Sequence, residues 1–192
     1  MKTIAIDIDN TISATHDFYL NLANEYDKNY LKKNNYIDET KVVPRSPDWT
    51  KEELSYFIEN YFNPNTVNIP LMKNANEYIR KLKELGYKII IITNRGLKDD
   101  DHSDEYTEQY LKKHNIPFDE LRVRAKDKYI YMKEVDIFID DSVKECEEVS
   151  KNCDCEVIMI EANTNRDYLN SKITKLNGWE SIYNFVKSIT EL

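Results

Sequence analysis

A run of four isoleucines, Ile89 to Ile92, dictates the architecture more than any other part of the chain. It sits in Tyr87-Lys88-Ile89-Ile90-Ile91-Ile92-Thr93 and leaves no polar face at a period of two. β-Branching favours the extended backbone, so the run reads as a strand buried on both sides. Strands of that kind belong to parallel sheets, whose crossovers lay helices on both faces. Similar apolar runs occur at Ile4-Ala5-Ile6, Val135-Asp136-Ile137-Phe138-Ile139 and Glu156-Val157-Ile158-Met159-Ile160, with a short candidate at Leu121-Arg122-Val123. The run at 156–160 reads as the final strand. Between them lie stretches with helical spacing. Ala75, Tyr78, Ile79, Leu82 and Leu85 mark one over 73–85, closed by Gly86. Others are expected at 104–114, 125–134 and 143–150, and a closing helix follows Gly178. The alternation predicts an α/β fold: a Rossmann-like parallel sheet with helices on both faces and right-handed crossovers.

The rhythm is interrupted once. Residues 13–70 hold two helical patterns separated by an irregular stretch at 36–50, so they read as a small helical cap inserted after the first strand, with 1–12 and 71–192 forming the α/β core. One helix is expected over 16–35, with Asp17 as N-cap and Asn34-Asn35 as its stop. A second is expected over 51–62, opened by Thr50 with Glu53 three residues on and ended by Pro64. Phe18, Tyr19, Trp49, Tyr56 and Phe57 could wall a base-binding site, but their helical spacing favours the cap's own core. His16 follows the first strand closely; a loop histidine is more often solvated.

Several function classes drop out. Three glycines in 192 residues cannot build a Gly-rich dinucleotide or nucleotide loop. A net charge of −8 argues against nucleic-acid polymers and anionic membranes, though not against a small phosphate ester in a locally positive pocket. Cys146, Cys153 and Cys155 are too few for a disulfide framework and have no histidine nearby to complete a zinc site, so they read as ordinary thiols. The first residues do not resemble a signal peptide, and no apolar run approaches membrane-spanning length. A cytoplasmic setting is the expectation.

The strand ends carry chemistry. Asp7 and Asp9 close the first strand. On an extended chain they would share one side, unless a turn re-aims the second. Thr93 and Asn94 close the isoleucine strand, and Asp140 and Asp141 close the strand at 135–139. In open α/β sheets ligands bind at these carboxyl ends. Several carboxylates together suit a hard cation, and magnesium takes one or two of them plus phosphate oxygens and water. A carboxylate can attack phosphorus, a second carboxyl can protonate the leaving oxygen, and a hydroxyl with an ammonium can hold the remaining oxygens. The ammonium is expected from the segment just before the strand at 135–139, where Lys126, Lys128 and Lys133 lie. Arg95 reads equally as a substrate contact or a surface ion pair. Asp99-Asp100-Asp101 reads as a solvated acidic loop rather than a second cation site.

Asp7-Ile8-Asp9-Asn10-Thr11, Thr93 and Asp140-Asp141 together resemble the motifs of the haloacid dehalogenase superfamily of phosphatases. The resemblance implies that Asp7 is the nucleophile and Asp9 the acid/base. It implies Mg²⁺ held by Asp7, Asp140, Asp141 and the backbone carbonyl of Asp9. It further implies that Thr93, Asn94 and Lys128 bind the phosphate. The helical cap, Ile-Ile-Thr-Asn-Arg, Ile-Asp-Asp-Ser, the Asn-rich turn after the strand at 156–160 and Gly-Trp-Glu resemble the 5′(3′)-deoxyribonucleotidases and bacterial nucleotidases. That implies a (deoxy)nucleoside monophosphate as substrate, with a sugar phosphate or other small ester as the alternative. Two other classes compete. A receiver-like signalling domain also groups Asp, Thr and Lys, but its acceptor Asp should end a strand between Asp9 and Thr93, and no such strand is legible. A non-catalytic binding protein of the same fold would not need the Asp7–Asp9 pair.

Overall fold

The computed structural model describes residues 2–41, 43–95 and 103–190, so the acidic run Asp99–Asp101 lies outside the described residues. The chain divides into two compact units, Met1–Ser13 with Leu71–Leu192, and Ala14–Pro70. In chain order the strands are β1 (Thr3–Ile6), β2 (Lys88–Ile92), β3 (Glu120–Arg122), β4 (Ile137–Asp140), β5 (Glu156–Ile160) and β6 (Thr174–Leu176). The α-helices are α1 (Thr15–Glu25), α2 (Lys51–Phe57), α3 (Ala75–Glu84), α4 (Ser103–Lys113), α5 (Val143–Asn152) and α6 (Gly178–Thr190). None among the described residues is long and apolar enough to cross a membrane.

All six strands pair in parallel, in the order β3-β2-β1-β4-β5-β6. The chain builds outward from β1 through β2 to β3, then crosses back to lay β4 on the other side of β1. That reversal between β1 and β4 is where open α/β sheets form their ligand crevice. The isoleucine run behaves as its composition requires. Ile90 and Ile92 join one apolar cluster with Ala5, Phe138, Val157, Met159 and, from α5, Cys146 and Val149. Ile89 and Ile91 point the opposite way by the strand's period and are as fully buried. Both faces of β2 are therefore covered, and its neighbours β1 and β3 complete the ladder. Gly86 ends α3 at φ 91°, a left-handed backbone that favours glycine.

Two expectations in this unit are corrected. The helix expected at 125–134 is only a 3₁₀ turn at Lys128–Tyr131. Ala125 spends its N–H on the Thr93 carbonyl (2.9 Å), and Arg124 and Asp127 are left-handed at φ 54° and 56°, which breaks any helix there. Nor is β5 the final strand. β6 pairs Ile158↔Thr174 to Ile160↔Leu176, and three residues of Thr-Lys-Leu carry too little pattern to declare an edge strand.

The helical unit has its own core of Ala23, Tyr26, Ile37, Trp49 and Phe57. Trp49 and Phe57 are thus core, while Tyr56 is exposed and stacks on Tyr30 at 4.9 Å. Thr50 and Glu53 form the expected capping box at α2. Both helices end sooner than expected: α1 passes into a π turn at Tyr26–Tyr30, and α2 into one at Ile58–Phe62. Asp17 does not cap α1; the N-cap is Ala14, with no side-chain bond. Asp27, buried, accepts from Trp49 Nε1 (2.7 Å), Asn35 N (2.8 Å) and Asn35 Nδ2 (3.1 Å), tying the irregular loop to the π turn that follows α1. His16 is held inside this unit, against Asp17 (3.3 Å) and the Glu39 carbonyl (3.0 Å).

Candidate active site

Ile6 pairs with Ile139, so the next residues, Asp7 and Asp140, emerge side by side at the carboxyl ends of β1 and β4. Both are almost wholly buried, at 5% and 1% exposure. Between them lies the Lys128 ammonium, 2.5 Å from Asp7 Oδ1 and 2.7 Å from Asp140 Oδ2, itself 3% exposed. The left-handed backbone at Asp127 turns the chain inward, and Glu145 Oε2 accepts the Lys128 N–H (3.2 Å). Burial alone would push the Lys128 ammonium down, but the Asp140 and Asp7 carboxylates outweigh it and hold it above its ordinary range. Asp140 Oδ1 accepts the Ser142 N–H (2.8 Å), which fixes its second oxygen at the start of α5.

Asp141, also buried, brings a third carboxylate to the cluster; ligand oxygens of Asp7, Asp140 and Asp141 lie within 4.8 Å of one another. One ammonium cannot neutralise three such charges. At that spacing each like pair costs on the order of 3 kcal/mol at an effective dielectric constant of ~20. The strain is expressed in the acids: burial, then Asp140 and Asp9, push the Asp7 carboxyl up to about 7 even though Lys128 pulls it down. Burial, then Asp140 and Asp7, push Asp141 well above its ordinary value against a hydrogen bond from Asn10. A hard divalent cation among these oxygens would reverse both directions, and an all-oxygen carboxylate set is what Mg²⁺ takes. The donor set therefore fits the ion.

Asp9 stands apart from this cluster. Past Ile8 the chain does not continue as a strand: the Ile8 carbonyl accepts the N–H groups of Thr11 (3.2 Å), Ile12 (2.8 Å) and Ser13 (2.9 Å), and Asn10 is left-handed at φ 57°. The tight loop gives Asp9 different partners from Asp7. Arg95 grips it with a fork, Nη2 to Oδ1 at 2.6 Å and Nε to Oδ2 at 2.9 Å. Two carboxyls two residues apart thus sit in unlike surroundings, the arrangement that lets them take different roles. Thr93 is buried, and its hydroxyl oxygen accepts the Arg95 N–H (3.2 Å), which aims its own proton elsewhere.

Among the residues proposed from sequence, the structure brings Asp7, Lys128, Asp140 and Asp141 into one cluster, with Thr93 and Asp9 at the adjoining strand ends. Lys126 and Lys133 are exposed. Asn94 is exposed too, and the bonds of the cluster do not include it. Arg95 is neither a surface ion pair nor solvated: its side chain is 10% exposed and bound to Asp9. Asn165 was not singled out from sequence. Its buried amide donates to the carbonyls of Asp141 (2.8 Å) and Ile160 (2.9 Å) and accepts the Ala162 N–H (3.0 Å), clamping the loop after β5 to the acidic loop. The only sequence signal was its place in an Asn-rich turn after a parallel strand. No strand lies between β1 and β2 among the described residues, so the receiver-like alternative lacks its acceptor position.

Known proteins resemble this chain over its whole length. A nucleotidase from Clostridium acetobutylicum is 28% identical over 195 residues, covering 98% of this chain and 95% of the relative. The crystal structure of a predicted phosphatase from the same organism superposes with a TM-score of 0.66 at 13% identity, covering 100% of this chain and 99% of that one. A HAD-superfamily hydrolase from Ehrlichia chaffeensis gives 0.58 at 16% identity, covering 99% of each chain. Residues 1–190 match the model of the family described as 5′ nucleotidase, deoxy (pyrimidine), cytosolic type C protein, and the chain belongs to that family, a group of haloacid dehalogenase-like phosphomonoester hydrolases.

Proposed function

We propose that the protein hydrolyses nucleoside monophosphates with Mg²⁺, by way of a phosphate carried on Asp7. The observation that carries this reading is the buried Asp7–Lys128–Asp140 bridge with Asp141 beside it, at the switch point of the sheet. Asp7, Asp140 and Asp141, with the Asp9 carbonyl, would hold the ion. When bound, it supplies positive charge that keeps Asp7 ionised and draws in a phosphate dianion. Asp7 Oδ attacks phosphorus, and the bond from phosphorus to the leaving oxygen breaks as the Asp9 carboxyl gives that oxygen its proton. Asp9, now a carboxylate, takes a proton from a water that attacks the same phosphorus. The Asp7–phosphorus bond then breaks, releasing inorganic phosphate and regenerating both acids. The Lys128 ammonium and the Thr93 hydroxyl would hold the non-bridging oxygens as charge spreads over them.

The nucleotide as substrate rests on the family and the nucleotidase relative. The insertion Ala14–Pro70, which begins five residues after Asp9, would set selectivity, and the family name suggests a cytosolic setting. Steady-state hydrolysis of p-nitrophenyl phosphate and a panel of nucleoside and sugar monophosphates tests the reading. Asp7→Asn should abolish turnover, EDTA should suppress it and Mg²⁺ restore it. Near wild-type activity in Asp7→Asn refutes the mechanism. Refusal of every nucleotide beside turnover of a sugar phosphate refutes the substrate.

A further inference from the structure

We propose that Arg95 is a positioning residue, one that fixes the Asp9 carboxyl in a single orientation so that it can serve both half-reactions. The proposal rests on the role given to Asp9 above. A carboxyl that donates to a leaving oxygen and then accepts from a water must stay within about 2.6–3.2 Å of both. Asp9 sits in a tight loop with its side chain 36% exposed, so burial alone does not fix its carboxyl. Arg95 holds it by both oxygens, and Arg95 is itself braced from several sides. Its Cζ lies 5.0 Å over the ring of Tyr110, which is fully buried. Its N–H donates to Thr93 Oγ1 (3.2 Å), its carbonyl accepts the Arg124 N–H (2.9 Å), and Nη2 reaches Ser13 Oγ (3.4 Å). Ser13 Oγ in turn donates to the Ile8 carbonyl (3.0 Å) inside the Asp9 loop. A planar fork stacked on an aromatic ring fixes both the direction and the twist of a carboxylate, which a lysine ammonium cannot do.

Two other roles for Arg95 make different demands. A surface ion pair would leave the guanidinium solvated, and the side chain is only 10% exposed. A direct phosphate contact would have to use the other edge of the guanidinium, where Nη1 is buried.

The test is a cycle of the full-length wild type, Arg95→Met, Asp9→Asn and the double variant, assayed with p-nitrophenyl phosphate and phenyl phosphate. If Arg95 acts through Asp9, Arg95→Met lowers kcat by about 10²-fold with KM changed less than about threefold, the size of a lost acid–base contribution. The loss is larger on phenyl phosphate, whose leaving group needs the proton more. In the Asp9→Asn background the same substitution costs less than about threefold. A raised KM with kcat retained, or an equal loss in the Asp9→Asn background, overturns the proposal. Wild-type activity in Asp9→Asn overturns instead the role of Asp9 in the proposed mechanism. Arg95→Lys keeps stem and charge without the fork, and the same comparison applies to it if Arg95→Met does not fold.

Discussion

Lys128→Met removes the one ammonium that stands between Asp7 and Asp140 while keeping the length and apolar stem of the side chain. Both pairs are buried, at 2.5 and 2.7 Å, so solvent screens neither. Breaking a buried pair by deleting one partner costs about 3–5 kcal/mol, because the other charge stays behind without compensation. For a chain of this size each kcal/mol lowers the melting temperature by about 2–4 °C, so the metal-free variant should melt about 10 °C or more below wild type at pH 8. The deficit should shrink toward pH 5. Losing a neighbouring cation raises the Asp7 carboxyl beyond its already elevated value of about 7, so at pH 5 it is protonated and needs no partner. Mg²⁺ should recover more stability in the variant than in wild type, since it replaces the missing charge. Activity should fall by about 10²-fold or more even with Mg²⁺, as for the loss of one charge-stabilising donor. Thermal melts of EDTA-treated protein at pH 5 and 8, with and without Mg²⁺, read all three effects. A variant that melts within about 2 °C of wild type at pH 8 without metal would show that Lys128 does not compensate the cluster, and the electrostatic reasoning would fail.

Further outcomes follow from the same site and its supports. In the metal-free wild type the Asp7 carboxyl lies at about 7 against 3.8 for an unperturbed acid, so its contribution to stability is full below about pH 4 and is lost as pH rises through 7. The metal-free protein should therefore melt lower at pH 8 than at pH 5, by about 3 kcal/mol of stability, and Mg²⁺ should gain more at pH 8; a pH-independent Mg²⁺ effect contradicts this. Asn165→Ala leaves the Asp141 and Ile160 carbonyls without their donor and should weaken Mg²⁺ binding about tenfold by calorimetry. Unchanged affinity would make Asn165 a loop residue only. Asp27→Ala strips the buried Trp49 indole of its acceptor and should cost about 1–3 kcal/mol in denaturant melts. A loss below about 0.5 kcal/mol would mean the loop holds without it.

Asp7 and Asp9 show how much the backbone decides within two residues. An extended chain would have put both carboxyls on one side, sharing one environment. The loop closed on the Ile8 carbonyl separates them, one against an ammonium in the sheet crevice and the other against a guanidinium braced on an aromatic ring. The same two residue types can then carry different chemistry. Electrostatic environment rather than residue type assigns the roles.

Local pattern was enough to reveal the α/β alternation, the double-sided burial of β2 and the acidic strand ends, because period, β-branching and burial are written into adjacent residues. The Thr50–Glu53 capping box was legible for the same reason: its partners are three residues apart. Other features were decided only by tertiary structure. The left-handed Asp127 and the Ala125–Thr93 bond replaced an expected helix by a turn, and that turn, not composition, selects Lys128 over Lys126 and Lys133 as the buried ammonium. Asp9 meets Arg95 across 86 positions, and Asn165 meets Asp141 across 24. Partners of that kind are set by strand order and crossover geometry, which no local pattern records. Adjacent residues set where carboxylates end strands; the order of the strands around β1 sets which of them share a charge.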